Sequence, residues 1–179
     1  MEKIRVSFTL FLLVFVSSTS LSAQNFDGLY RSKVQSLDST IETLYAVISG
    51  DKGVKRDWDL FKYLFVDGAQ LTPILRNSSG QVIPRFMSPD DYVSGSGSYL
   101  EENGFFEKEI FRVTEEYGAL THIFSTYESY RTSTDTEPFA RGINSIQCMF
   151  DGSRWWIVNI TWQGEYPDIP VPEKYLPGK

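Results

Sequence analysis

The sequence predicts an α+β domain in which about three helices pack on one face of a strongly curved, mostly antiparallel sheet. Three observations lead there. Apolar residues at helical spacing are confined to the part of the chain before Asn103. Four long runs rich in aromatic and β-branched residues follow it, and short polar or glycine-bearing turns separate them. Helices followed by a strand meander bury their apolar faces best as one layer on another.

The elements follow in chain order. Leu37, Ile41, Leu44, Tyr45 and Ile48 recur on one helical face, and Ser49-Gly50 ends that helix. Asp57 caps a second helix whose inner face is Trp58, Phe61, Leu64 and Phe65, with Asp67-Gly68 as its stop. Residues 69–75 and 81–87 read as strands around a turn at 77–80. Ser88-Pro89-Asp90-Asp91 opens a third helix, with a hydroxyl cap, proline in the first turn and acids at the positive end of the dipole. Gly95 and Gly97 dilute its middle, and Asn103-Gly104 closes it. Strands are expected at 105–116, 120–131, 139–150 and 155–163. The tail from Tyr166 carries Pro167, Pro170, Pro172 and Pro177, so it is extended and excluded from a central strand.

The first residues read as a secretory signal. Lys3 and Arg5 precede an apolar stretch at 6–16, and small residues surround Ala23. As a helix that stretch covers roughly half of a ~30 Å hydrocarbon core, which argues against a membrane anchor. The expected organisation is a signal peptide at 1–23, a flexible lead-in at 24–36, one domain at 37–165 and an extended tail at 166–179. The location implied is periplasmic or secreted.

Composition narrows the chemistry. The 179 residues include one cysteine and one histidine, so a disulfide framework, a Cys/His zinc site and a CxxC redox pair are all excluded. A net charge of −6 disfavours nucleic acid and anionic lipid as partners. No phosphate-binding loop, dinucleotide fingerprint or Gly-x-Ser-x-Gly elbow is present, and no cofactor or metal is expected. Asp57, Asp59, Asp90 and Asp91 sit at helix starts, where capping accounts for them.

Four stretches, IETLYAVIS at 41–49, RDWDLF at 56–61, THIFSTYE at 121–128 and RWWIVN at 154–159, resemble the nuclear transport factor 2-like (SnoaL-like) superfamily, and within it small secreted bacterial members of unassigned function. The resemblance spans about residues 37–163. It implies a cone-shaped, cystatin-like α+β domain whose sheet wraps a cavity, on which enzymes and non-catalytic binding or dimerisation modules are both built. The matching motifs are core-forming, so no catalytic role transfers with them.

Strict alternation across a tight turn at 151–154 assigns faces to the last two strands. Asn144, Cys148 and Asn159 fall inward, and Trp156, Val158, Ile160 and Trp162 fall outward. The inward amides, with Tyr45, Trp58 and Tyr127, are the expected ligand pocket, and the outward row is the expected homodimer interface. His122, the single imidazole, is the candidate catalytic base. The expected function is binding of a small, largely apolar ligand, or dimerisation. The alternative is an isomerase, dehydratase or cyclase working through His122 or a pocket acid.

Overall fold

The computed structural model describes residues 27–178, so the expected signal peptide lies outside the described residues. The α-helices α1 (Leu37–Ile48), α2 (Trp58–Tyr63) and α3 (Pro89–Asn103) pack on a six-stranded sheet. Its strands are β1 (Phe65–Arg76), β2 (Val82–Pro84), β3 (Phe106–Tyr117), β4 (Leu120–Tyr130), β5 (Ala140–Phe150) and β6 (Trp155–Gly164). The order across the sheet is β2-β1-β6-β5-β4-β3, antiparallel throughout except for the parallel pair β1 and β6. The predicted fold class is the observed one.

Local chemistry starts the helices where the sequence placed them. Ser36 and Ser39 cap α1 reciprocally, each side chain bonding to the other's backbone N–H. Ser88 and Asp91 do the same for α3, with Pro89 in its first turn. Asp57 accepts from the Leu60 amide at 2.9 Å to open α2. Such caps contribute about 1 kcal/mol each, and burial of the apolar face they orient stabilises each helix further. Ile41, Phe61, Leu64, Ile123, Ile146 and Ile157 lose nearly all contact with solvent in a single core.

Three segments depart from the sequence reading. Leu64 and Phe65, expected in a helix, leave it because the Ile157 amide donates to the Leu64 carbonyl at 2.9 Å and Phe65 pairs with Ile157. Asp67-Gly68 then interrupts β1 instead of ending a helix, and Gly68 adopts φ +80°, a backbone conformation that favours glycine. Residues 27–36 are not a loose lead-in: Tyr30 and Val34 are buried, and the Val34 carbonyl accepts from the Trp155 amide at 2.8 Å. The proline-rich tail stays out of the sheet and crosses its outer face. There Val171 is buried, the Tyr175 ring meets Phe124 edge-on at 4.9 Å, and Thr126 Oγ1 donates to the Tyr175 carbonyl at 2.7 Å.

Two bulges decide which strand residues face the helices. In β6, Asn159 pairs with Gln147 and Ile157 with Cys148, so Val158 is the extra residue. One inserted residue inverts the alternation beyond it. Cys148 and Ile157 therefore face the core as expected, but past the bulge Ile160 and Trp162 turn inward opposite Ile146 and Asn144. Asn159 turns outward. In β3, Ile110 is the extra residue between Glu109, opposite Tyr127, and Phe111, opposite Thr126. Glu109 and Arg112, three apart, thereby share the inner side.

The outward tryptophan row is thus corrected: only Trp156 and Val158 lie outside, and the Trp156 ring is already covered by the Arg154 guanidinium at 3.6 Å. Deleting Val158 removes the bulge and leaves Asn159 outward and Ile160 and Trp162 inward, because the residue removed is the one that β5 does not pair. The deletion is therefore expected to cost about 2 kcal/mol or less in denaturant unfolding, against about 4 kcal/mol or more for Ile160→Asp, which puts a charge on the buried inner side; a deletion as costly as Ile160→Asp would contradict this register.

Candidate functional site

The helix-covered side of the sheet is not completely filled. Between α1, α3 and the inner faces of β3 to β6 lies a cavity of about 500 Å³. Tyr45, Phe61, Tyr92, Phe105, Tyr127 and Trp162 supply aromatic wall. Tyr92 stacks on Phe61 with ring centroids 5.2 Å apart and meets Trp162 edge-on at 6.5 Å, so the wall is braced from behind. Gly95 and Ser96 of α3 and Ala140 of β5 are small at the rim, beside the exposed rings of Tyr99 and Phe139.

Two glycines make the geometry possible. A Cβ on Gly142 would run into the Gln163 carbonyl and the Tyr127 hydroxyl, so the Tyr127 phenol keeps its place only because position 142 has no side chain. A Cβ on Gly97 would stand 3.3 Å from the Trp58 indole. The glycines that weaken α3 as a helix therefore let Trp58 pass beneath it and leave the rim open.

A chain of polar groups runs along one wall. Ser125 Oγ donates to Glu109, whose carboxylate is held by Arg112 (Nε to Oε1, 2.9 Å). Arg112 is in turn paired with Asp38 of α1 at 2.7 Å. With the Ser125 proton committed to Glu109, the Tyr45 hydroxyl donates to Ser125 at 2.7 Å and accepts from Asn144 Nδ2 at 3.0 Å. The surface ion pair thus orients Asn144 amide-first toward the interior. Burial raises the Tyr45 hydroxyl far above the usual phenol range, so it stays a neutral link.

Glu107 is the centre of the site. It lies two residues before Glu109 on the same inner side of β3, opposite Ser129, and lines the cavity. Ser129 Oγ donates to its Oε2 at 3.1 Å. Burial pushes its pKa up to about 7, while hydrogen bonding from Ser129 and Asn144 pulls the other way. Among the described residues lining the cavity, Glu107 is the one carboxylate, and no lysine, arginine or histidine joins it. A carboxyl poised near neutrality in an aromatic enclosure can accept or release a proton, or pair with a cation.

The structure brings together three of the pocket residues picked from sequence: Tyr45, Tyr127 and Asn144 all line the cavity. Trp58 does not. It packs between α2 and α3, edge-on to Phe61 at 5.8 Å, and its Nε1 donates to Glu101 at 2.8 Å. Asn159 is on the opposite face, donating to Gln147 at 3.1 Å, because of the β6 bulge. His122 also points away from the cavity: its Nε2 lies 3.0 Å from Ser145 Oγ and its Nδ1 3.7 Å from Glu115 on the outer face. Glu107, Phe105, Ser129, Tyr92 and Trp162 escaped the sequence reading. The available signal was Phe105, Glu107 and Glu109 at alternate positions, which puts two acids on one face of a strand without saying which face.

No family model matches this chain, and no curated protein is detectably similar to it in sequence. Solved structures do match. A nuclear transport factor 2-like protein of unknown function from Pseudomonas putida covers 90% of this chain and 98% of its own at 10% identity, TM-score 0.55. A cystatin-like-fold protein of unknown function from Nostoc punctiforme covers 75% and 91% at 9% identity, TM-score 0.55. A nuclear transport factor 2-like protein with a cystatin-like fold from Novosphingobium aromaticivorans covers 83% and 90% at 12% identity, TM-score 0.54. The fold is therefore nuclear transport factor 2-like, and identities this low speak to the fold alone.

Glu107 gives stability a pH dependence whose sign is fixed. The unfolded chain releases this proton near 4.5, whereas the folded chain keeps it to about 7. Between those values the unfolded state binds fewer protons, so stability falls as pH rises. Because the cavity opens to solvent, the expected loss from pH 5 to 8 is discounted to about 2 kcal/mol. Subtracting the chemical-denaturation profile of Glu107→Gln from that of the parent should isolate this slope, and parallel profiles would contradict the assignment.

Proposed function

We propose that this domain is a binding module for a small, largely apolar molecule held in the aromatic cavity and oriented by Glu107, Asn144 and Ser129. The observation that carries the reading is a cavity of about 500 Å³ with mostly apolar walls and a few convergent polar groups. That combination is the usual form of a small-molecule site. The basic and apolar leader at residues 1–23 supports an exported protein, meeting its ligand outside the cytoplasm.

Titration with indane, a neutral bicyclic hydrocarbon, followed by amide chemical-shift changes tests the reading directly. Perturbations are expected on α3 and the inner faces of β3 to β6. Ala140→Trp, which places an indole at the rim, should weaken binding at least about tenfold by filling the entrance. Binding that is indifferent to Ala140→Trp, or shift changes confined to the outer face, would refute it.

A second reading rests on Glu107 itself. A carboxyl with a pKa near 7, beside the Ser129 hydroxyl and the Asn144 amide, is suited to carry a proton between two positions of an apolar substrate, as an isomerase or dehydratase requires. The base is then Glu107 and not His122, which faces the other side of the sheet. For such a turnover Glu107→Gln should lower kcat about 10²- to 10⁴-fold, and His122→Ala should leave it unchanged. A binding module would show no turnover for either variant to alter.

A further inference from the structure

We infer, building on the reading of the cavity as a small-molecule site, that its preferred occupant is a cationic amine with an apolar body, its ammonium seated at Glu107. Two acids of one strand differ in a way that points there. Glu107 and Glu109 lie two residues apart on the same side of β3. Glu109 has a permanent countercharge, the Arg112 guanidinium, made reachable by the bulge at Ile110. Glu107 has only neutral donors, the Ser129 hydroxyl and the Asn144 amide. A half-buried carboxyl with no countercharge is harder to ionise than a paired one. The chain supplies a countercharge to one acid of the pair and neutral donors to the other.

An ammonium group would complete the second. It brings a unit charge and three N–H donors to a carboxylate with acceptor capacity left after Ser129 and Asn144. The surrounding walls suit the same ligand. Tyr45, Phe105 and Tyr127 bound the space around Glu107, and aromatic faces attract cations as well as apolar groups. Other ligand charges fare worse. A carboxylate or phosphate would meet Glu107 with no basic side chain in the described lining to offset it, and a neutral hydrocarbon would leave the acid unpaired.

Two probes of nearly equal size separate charge from shape: 2-aminoindane and 2-indanol. Their affinities for the folded full domain are measured by calorimetry at pH 8, where Glu107 is ionised and the amine is protonated. The amine is expected to bind about tenfold or more tightly than the alcohol. In Glu107→Gln the two should come within about threefold of each other, with alcohol affinity little changed. Equal affinities in the parent protein, a comparison that needs no variant, would overturn the inference while leaving the cavity reading intact. So would an amine preference that survives Glu107→Gln. If neither probe, nor indane, binds at millimolar concentration, the cavity reading itself fails and the inference with it.

Discussion

The arrangement of the whole inner surface depends on one constraint, the single extra residue Val158 in β6. A strand shows its side chains alternately to two faces, so if Val158 were taken into the ladder instead of bulging out, the end of β6 that lines the cavity would be turned over. As it is, Ile157 serves the core on one side of the bulge and Ile160 and Trp162 serve core and cavity on the other. Trp162 then meets Tyr92 in a T-shaped contact, Tyr92 stacks on Phe61, and Phe61 packs against Phe65 at 5.0 Å. An aromatic train from the cavity wall to the interior of the fold follows from one change of register.

The second bulge, at Ile110 in β3, does for charge what the first does for shape. It places Arg112 beside Glu109 instead of behind it, and the pair anchors the line of hydrogen bonds through Ser125 and Tyr45 to Asn144. That line is polar matter inside an apolar layer. It is tolerable because each member's donors and acceptors find partners, and it ends at an ion pair near the surface where the cost of holding charge is low. Glu107, two residues from Glu109, meets the far end of that line at Asn144 and has no guanidinium beside it. The two acids of β3 thus differ in the presence or absence of a neighbouring guanidinium.

Part of the outer face is covered by the chain itself. The tail lays Val171 and Tyr175 over Phe124 and Thr126, and Arg154 lies between the rings of Tyr63 and Trp156 at 3.9 and 3.6 Å. Aromatic residues that in the sequence suggest an interface are used partly within the chain, to cover the sheet and to seat a buried arginine. Arg56 is used similarly, its guanidinium donating to the carbonyls of Ile48, Gly50 and Leu100 and so tying α1, α3 and the intervening loop together.

What the sequence by itself determined is local. Helix starts at Ser36, Asp57 and Ser88 follow from short-range capping chemistry, and the four late strands follow from side-chain composition and turn residues. Placing Tyr45, Tyr127 and Asn144 inward needed only an unbroken helical or strand period over a few residues. The tertiary structure decided whatever depended on a partner strand. Leu64 and Phe65 left a helix because Ile157 offered them pairing, Asn159 and Trp162 exchanged faces because β5 met β6 across a bulge, and Glu107 became a cavity acid because β3 turned that side toward α1. Periodicity propagates along one chain segment, whereas a bulge is a property of two strands in register, so its consequences cannot be read from either strand alone.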